Sequence, residues 1–241
     1  MNPLAHVDKS KQSGALPEKI CDLIEKRFPL VVEGINRIEK ASGINYPVAY
    51  VDPSVVIARG DTSSNQYGIL YARTIPLTID DKLKSVIQIS APLVAFGLKG
   101  TIHAILGHEF LHYLELMHRV STMGIISDEI SSSIFENTYS DSSRLLEPRA
   151  IFSDQTLVSH ITKKFPSGFR DYKLEDKTLK FWLSCGLPRT NIDLDQNTTR
   201  LSVQMLSKVK LTSEFKEKLD MFVQKSTKIQ KRQAHKLLQQ I

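Results

Sequence analysis

The chain is poor in cysteine: 241 residues carry only Cys21 and Cys185, far apart and in no CxxC pair. That excludes a disulfide framework and a cysteine-built zinc knuckle, and it fits a reducing, cytoplasmic setting. A secretion signal is not expected either. The stretch MNPLAHVDKSKQSGA has neither the hydrophobic segment nor the small-residue cleavage pattern of a secretion signal. No clean membrane span is visible either. The most apolar run, SVIQISAPLVAFGLKGTIHAILG, is broken by Pro92, Lys99, His103 and internal glycines, and it reads as a buried strand, a turn and a helix. Internal repeats are absent.

The excess of positive charge is confined to one end. Residues 206–241 hold nine Lys/Arg against three acids, which accounts for the whole net charge of +6. The basic excess therefore concerns the C-terminal tail and whatever it meets, rather than the central chemistry.

Apolar residues recur at three- and four-residue steps from Pro17 to Ser42, predicting an amphipathic helix that Pro29 kinks or splits and Gly43 ends. PVAYV, SVVIA, YGILY and TIPLTI, punctuated by turn signals, read as strands of a small sheet. KSVIQIS (84–90) is the last strand, followed by a turn over 91–100 and a helix from about Thr101 to His118. Residues 119–146 contain eight serines and are expected to form a mobile cover or loop. A helix around LLEPRAIFSDQTLVSHITKKF follows. Beyond Pro166 the chain reads as mainly helical, with GLPRTNIDLDQNTTR as a loop. The expected organisation is a flexible arm over 1–15, a catalytic domain over 16–165 and a mainly helical subdomain with a basic tail over 166–241.

GHEFLHYLE (107–115) carries the chemistry. Two histidines at i and i+4 lie one turn apart on one helix face, so His108 and His112 can converge on one metal ion. Glu109 points about 100° away round the helix and is placed to act on a water rather than on the ion. Chance alone produces HExxH in roughly 1% of chains of this composition. The neighbours Ile102, Ile105, Leu106, Phe110, Leu111 and Leu114 surround the helix, so its polar groups are expected to be buried and to need partners. Zinc is the expected cofactor.

A catalytic zinc takes a third protein ligand and leaves one position open. His118 fits an extended HExxHxxGxxH pattern except that Glu115 replaces the glycine that would turn the chain back. Glu115 itself lies about 10 Å of helix rise beyond His108, too far to share one ion. Glu129 and Glu136 are further candidates. Glu147 in LLEPRA is favoured, because Ala150 three residues on lets its helix pack closely against the motif helix. His160, Tyr139 and Arg149 are candidates for stabilising an oxyanion. His103, on the opposite side of the helix, reads as a hydrogen-bonded core residue, and Trp182 with Phe181 reads as core.

The order strand, HExxH helix, later ExxA in SVIQISAPLVAFG, TIHAILGHEFLHYLE and LLEPRA resembles the gluzincin branch of the zincins. The likeness is to soluble minigluzincins similar to CAAX-prenyl-endopeptidase and HtpX-like peptidases, and it covers about residues 45–160. It implies an α+β, zincin-like fold with a small mixed sheet on the active-site helix and additional C-terminal helices. By the same likeness His108, His112 and Glu147 hold zinc, Glu109 is the general base, and strand 84–90 is the edge along which a peptide or protein substrate pairs. Where the family often places aspartate after ExxA, this chain has Ile151; Asp154 is the nearest substitute.

The expected activity is zinc-dependent peptide hydrolysis, either general or directed at one partner as in ImmA/IrrE-type regulatory proteases. The alternative is a regulatory or scaffold protein with an inactive or structural core whose basic tail binds nucleic acid or a protein.

Overall fold

Pro29 splits the N-terminal amphipathic segment in two. The computed structural model describes residues 2–59, 67–79, 82–122, 129–130, 146–166, 169–193, 199–200, 209 and 211–238. In it, α2 (Glu18–Arg27) gives way to α3 (Pro29–Ser42), with Pro29 in the first turn of α3, where its missing N–H has no helical partner to lose. Gly43 ends α3 at φ 68°, a left-handed conformation that suits glycine. The loose arm expected over 1–15 is corrected. Residues Ala5–Gln12 form helix α1, with Val7 fully buried and the His6 ring on Tyr50. A single buried apolar side chain anchors it, too little for a periodic signal.

Two three-stranded sheets follow from the β-branched runs. Strands β1 (Val48–Asp52), β4 (Ala72–Ile79) and β5 (Lys82–Ser90) form one, in the order β1-β5-β4, with β1 parallel and β4 antiparallel to β5. Strand 84–90 is therefore the centre of its sheet rather than the expected edge, and β4 is an edge strand among the described residues. Pro76 marks it: opposite Ser85 in β4, a residue without an N–H is tolerated at an edge and not in a central strand. The second sheet has the order β3-β2-β7, from β2 (Val55–Arg59), β3 (Tyr67–Leu70) and β7 (Arg189–Asp193). Strand β7 corrects the loop expected there; its partner β2 is remote in sequence, so no local pattern announces the pairing. A two-residue ribbon pairs β6 (Glu129–Ile130) with β8 (Thr199–Arg200). The rest of the expected cover over 119–146 lies largely outside the described residues.

In place of the turn after β5 stands a short helix, α4 (Ala91–Phe96), and the motif helix α5 runs over Lys99–Ser121. Two glycines let its neighbours close in. A Cβ on Gly34 of α3 would meet His103 at 2.8 Å, and one on Gly107 would meet Ile161 at 2.7 Å. The close approach expected of Ala150 is thus made at Gly107. The helix expected across 145–165 is interrupted, giving α6 (Pro148–Ile151) and α7 (Gln155–Lys164), because Asp154 caps α7 by accepting the Leu157 amide at 2.9 Å. Helix α8 (Tyr172–Thr178) runs into a π-helical turn (Leu179–Leu183). There Trp182 is fully buried as expected, whereas Phe181 is 54% exposed. The C-terminal helix α9 (Ser213–Leu238) buries Leu219 and Phe222. The architecture is α+β, and among the described residues no helix is long and apolar enough to cross a membrane.

Candidate functional site

Helix α5 buries 17 of its 23 residues, so its polar side chains sit where partners are required. His103 meets that requirement by structure alone. Its Nδ1 lies 3.3 Å from Arg37 Nη1 and its Nε2 lies 3.2 Å from the Leu30 carbonyl. Burial holds its imidazole below the usual histidine value, against the pull of the Leu30 carbonyl. It is the core histidine that its position on the helix suggests.

His108 and His112 are arranged differently. Their Nε2 atoms face each other at 2.9 Å with the rings at 85°, and both residues are buried. Phe165, just past α7, stacks flat on His108 with centroids 3.7 Å apart and planes at 4°, which fixes the plane of that ring. The backbone spacing thus brings the two imidazoles to one point, as the i, i+4 pattern predicts.

Glu109 is buried beside them. Thr74 Oγ1, on edge strand β4, lies 3.0 Å from the Glu109 carboxylate and 3.0 Å from its backbone carbonyl, so the threonine hydroxyl donates into this group. Tyr46 donates to the Leu106 carbonyl at 2.9 Å and stacks on Phe110, holding the preceding turn. A narrow cleft of about 50 Å³ opens on His108 and Glu109, walled by Tyr71 and Ala72 at the start of β4 and by Phe165 and Phe169. The sequence points to neither Thr74 nor Phe165. Thr74 is an ordinary inward position of a strand, and Phe165 becomes informative only once α7 is known to lie along Gly107.

Of the other candidates, Glu147 occupies the N-cap position of α6 and is half-buried; its amide donates to Ser226 Oγ at 2.9 Å. Among the described residues its carboxylate has no hydrogen-bond or ion-pair partner, and no three His, Cys, Asp or Glu form a metal-holding group, so Glu147 is not brought together with His108 and His112. His118 faces away, with Nδ1 4.0 Å from Asp220 on α9. The Glu129 side chain, Glu136 and Tyr139 lie outside the described residues. Arg149 is exposed, and His160 packs over Gly100, about 12 Å of helix rise before His108. Asp154 does not substitute for the missing aspartate, because its carboxylate forks onto Arg37 at 2.6 and 3.0 Å.

Two of the three protein donors that a catalytic zinc takes are therefore in place, as neutral-capable imidazoles of the type zinc prefers, beside a buried carboxylate. Nitrogens bound to one tetrahedral zinc stand about 3.3 Å apart, so the observed pair needs to spread by less than half an ångström. Comparison with known proteins gives no match to any family model, curated protein or solved structure.

Proposed function

We propose that the chain is a zinc-dependent peptidase whose reaction is centred on His108, Glu109 and His112. The observation that carries this reading is the convergence of two buried Nε2 atoms beside the Glu109 carboxylate, at a cleft bordered by an edge strand. His108 and His112 would hold the ion; Glu147, half-buried and with a carboxylate that has no partner among the described residues, would have to swing toward them to serve as the third donor. When bound, zinc supplies acidification of water and polarisation of a carbonyl.

The chain's own residues do the rest. Glu109 takes the proton from the attacking water and returns it to the leaving amine. Thr74 holds one oxygen of the Glu109 carboxylate, which borders the cleft, and Phe165 keeps the His108 ring from rotating. Strand β4, an edge strand among the described residues, would offer that edge to an extended peptide. The test is hydrolysis of a mixed peptide library by zinc-loaded protein. Glu109→Gln is expected to keep the metal and lose rate by about 10²–10⁴-fold; hydrolysis by that variant at the wild-type rate overturns the assignment.

One observation favours a second reading, in which the tail binds nucleic acid. Lys225, Lys228, Lys231 and Arg232 are exposed on α9, and among the described residues none has an ion-pair partner. They lie about 140° round the helix from buried Leu219, Phe222 and Ser226. Four phosphate contacts give duplex DNA binding whose log K falls with log salt at a slope of about −3.6. A salt-independent or absent signal removes this reading.

A further inference from the structure

Glu115 is buried on α5, three residues past His112, and the sequence gives it no role because it lies too far from His108 to share an ion with it. Its two carboxylate oxygens face different structures. Oε1 accepts the Leu146 amide at 3.2 Å, and Oε2 lies 3.9 Å from His112 Nδ1. Leu146 is fully buried and immediately precedes Glu147, whose own amide is held by Ser226 of α9. The backbone at the start of ExxA is thus pinned from the motif helix on one residue and from the C-terminal helix on the next.

The two nitrogens of His112 divide in the same way: Nε2 faces His108, and Nδ1 faces Glu115. A carboxylate beside one ring nitrogen favours the proton on that nitrogen and leaves the lone pair on the other. We infer that Glu115 is a positioning residue that holds His112 in the Nδ1–H tautomer, presenting the Nε2 lone pair, while anchoring the backbone next to Glu147. One buried carboxylate thereby sets the orientation of a donor imidazole and the placement of a donor carboxylate carried more than 30 residues later. The inference rests on the metal reading above for its purpose, though not for its geometry. It also fixes the neighbour: with His112 Nε2 as acceptor, the 2.9 Å contact is donated by His108 Nε2–H in the metal-free protein.

Long-range nitrogen–proton NMR of the histidine side chains in the metal-free full chain tests this directly. His112 is expected as the Nδ1–H tautomer and His108 as Nε2–H. Glu115→Gln keeps a carbonyl for the Leu146 amide but turns an amide donor toward Nδ1, so His112 is expected to switch to Nε2–H with the thermal melt little changed. Zinc affinity is then expected to fall about 10- to 100-fold. Glu115→Ala removes both contacts and is expected to lose the tautomer preference as well. His112 found as Nε2–H in the wild type, or unchanged in tautomer by Glu115→Gln, overturns the inference. If the wild type binds no zinc, the metal reading falls, and the NMR result alone decides the role of Glu115.

Discussion

His103 and His112 sit on one helix, both buried, yet their nitrogens meet different kinds of neighbour. His103 spends both nitrogens on groups that hold the fold together: the Leu30 carbonyl of α3, and Arg37, which also clamps Asp154 at the start of α7. The contacts at that end radiate outward, tying two helices, α3 and α7, to α5. At the other end they point inward. His112 turns one nitrogen to His108 and the other toward Glu115, and Glu109 receives Thr74 from the edge strand. Burial alone does not mark a site; convergence of donors on a shared point does.

The first end of this comparison can be broken at His103. His103→Ala opens a cavity and strands the Leu30 carbonyl and Arg37, so urea unfolding should show a loss of about 2–4 kcal/mol with zinc binding retained at subsaturating denaturant. Should the same change abolish zinc uptake in a folded protein, the division between the two ends is wrong.

The link between the ends runs through Gly107, where α7 lies so close that a Cβ would meet Ile161 at 2.7 Å. Gly107→Val is expected to cost about 1–3 kcal/mol by overpacking. It should also lift Phe165 off His108, which ring-current shifts of the His108 protons would report. Unchanged shifts would mean that the stacking does not depend on the position of α7.

A smaller effect sharpens the structural end. The Arg37 guanidinium beside Asp154 holds that carboxyl at about 2, below the ordinary 3.8. A folded-state value below the unfolded one means that the pair stabilises above about pH 4 and loses its contribution as pH falls through 2. Partial exposure screens the pair, so Asp154→Asn is expected to cost about 1 kcal/mol at neutral pH, with the gap to wild type closing between pH 4 and 2. A gap independent of pH would assign the effect to helix capping instead.

Much of this arrangement is legible in the sequence where a single helix carries it. The i, i+4 spacing brings His108 to His112, the apolar surround of α5 predicts its burial, and the opposite-face position of His103 predicts a core residue. What escapes depends on contacts between distant segments. Strand β5 is an edge only by the family resemblance, and its parallel pairing with β1 makes it central; RTNID reads as loop until β2 supplies its partner. Glu115 looks idle because its value lies in Leu146, a residue that no local periodicity brings near it. Glu147 is legible as a candidate donor, yet the groups that hold the backbone beside it, Glu115 and Ser226, are remote from it in sequence.

The account depends most on His108 and His112 acting as a metal-binding pair. Native mass spectrometry of the full chain titrated with zinc, beside His112→Ala, measures this directly. One ion per wild-type chain and none on a variant with an unchanged melt is the expected result. A wild-type chain that stays metal-free at saturating zinc, or a variant that loads as fully as wild type, would contradict it.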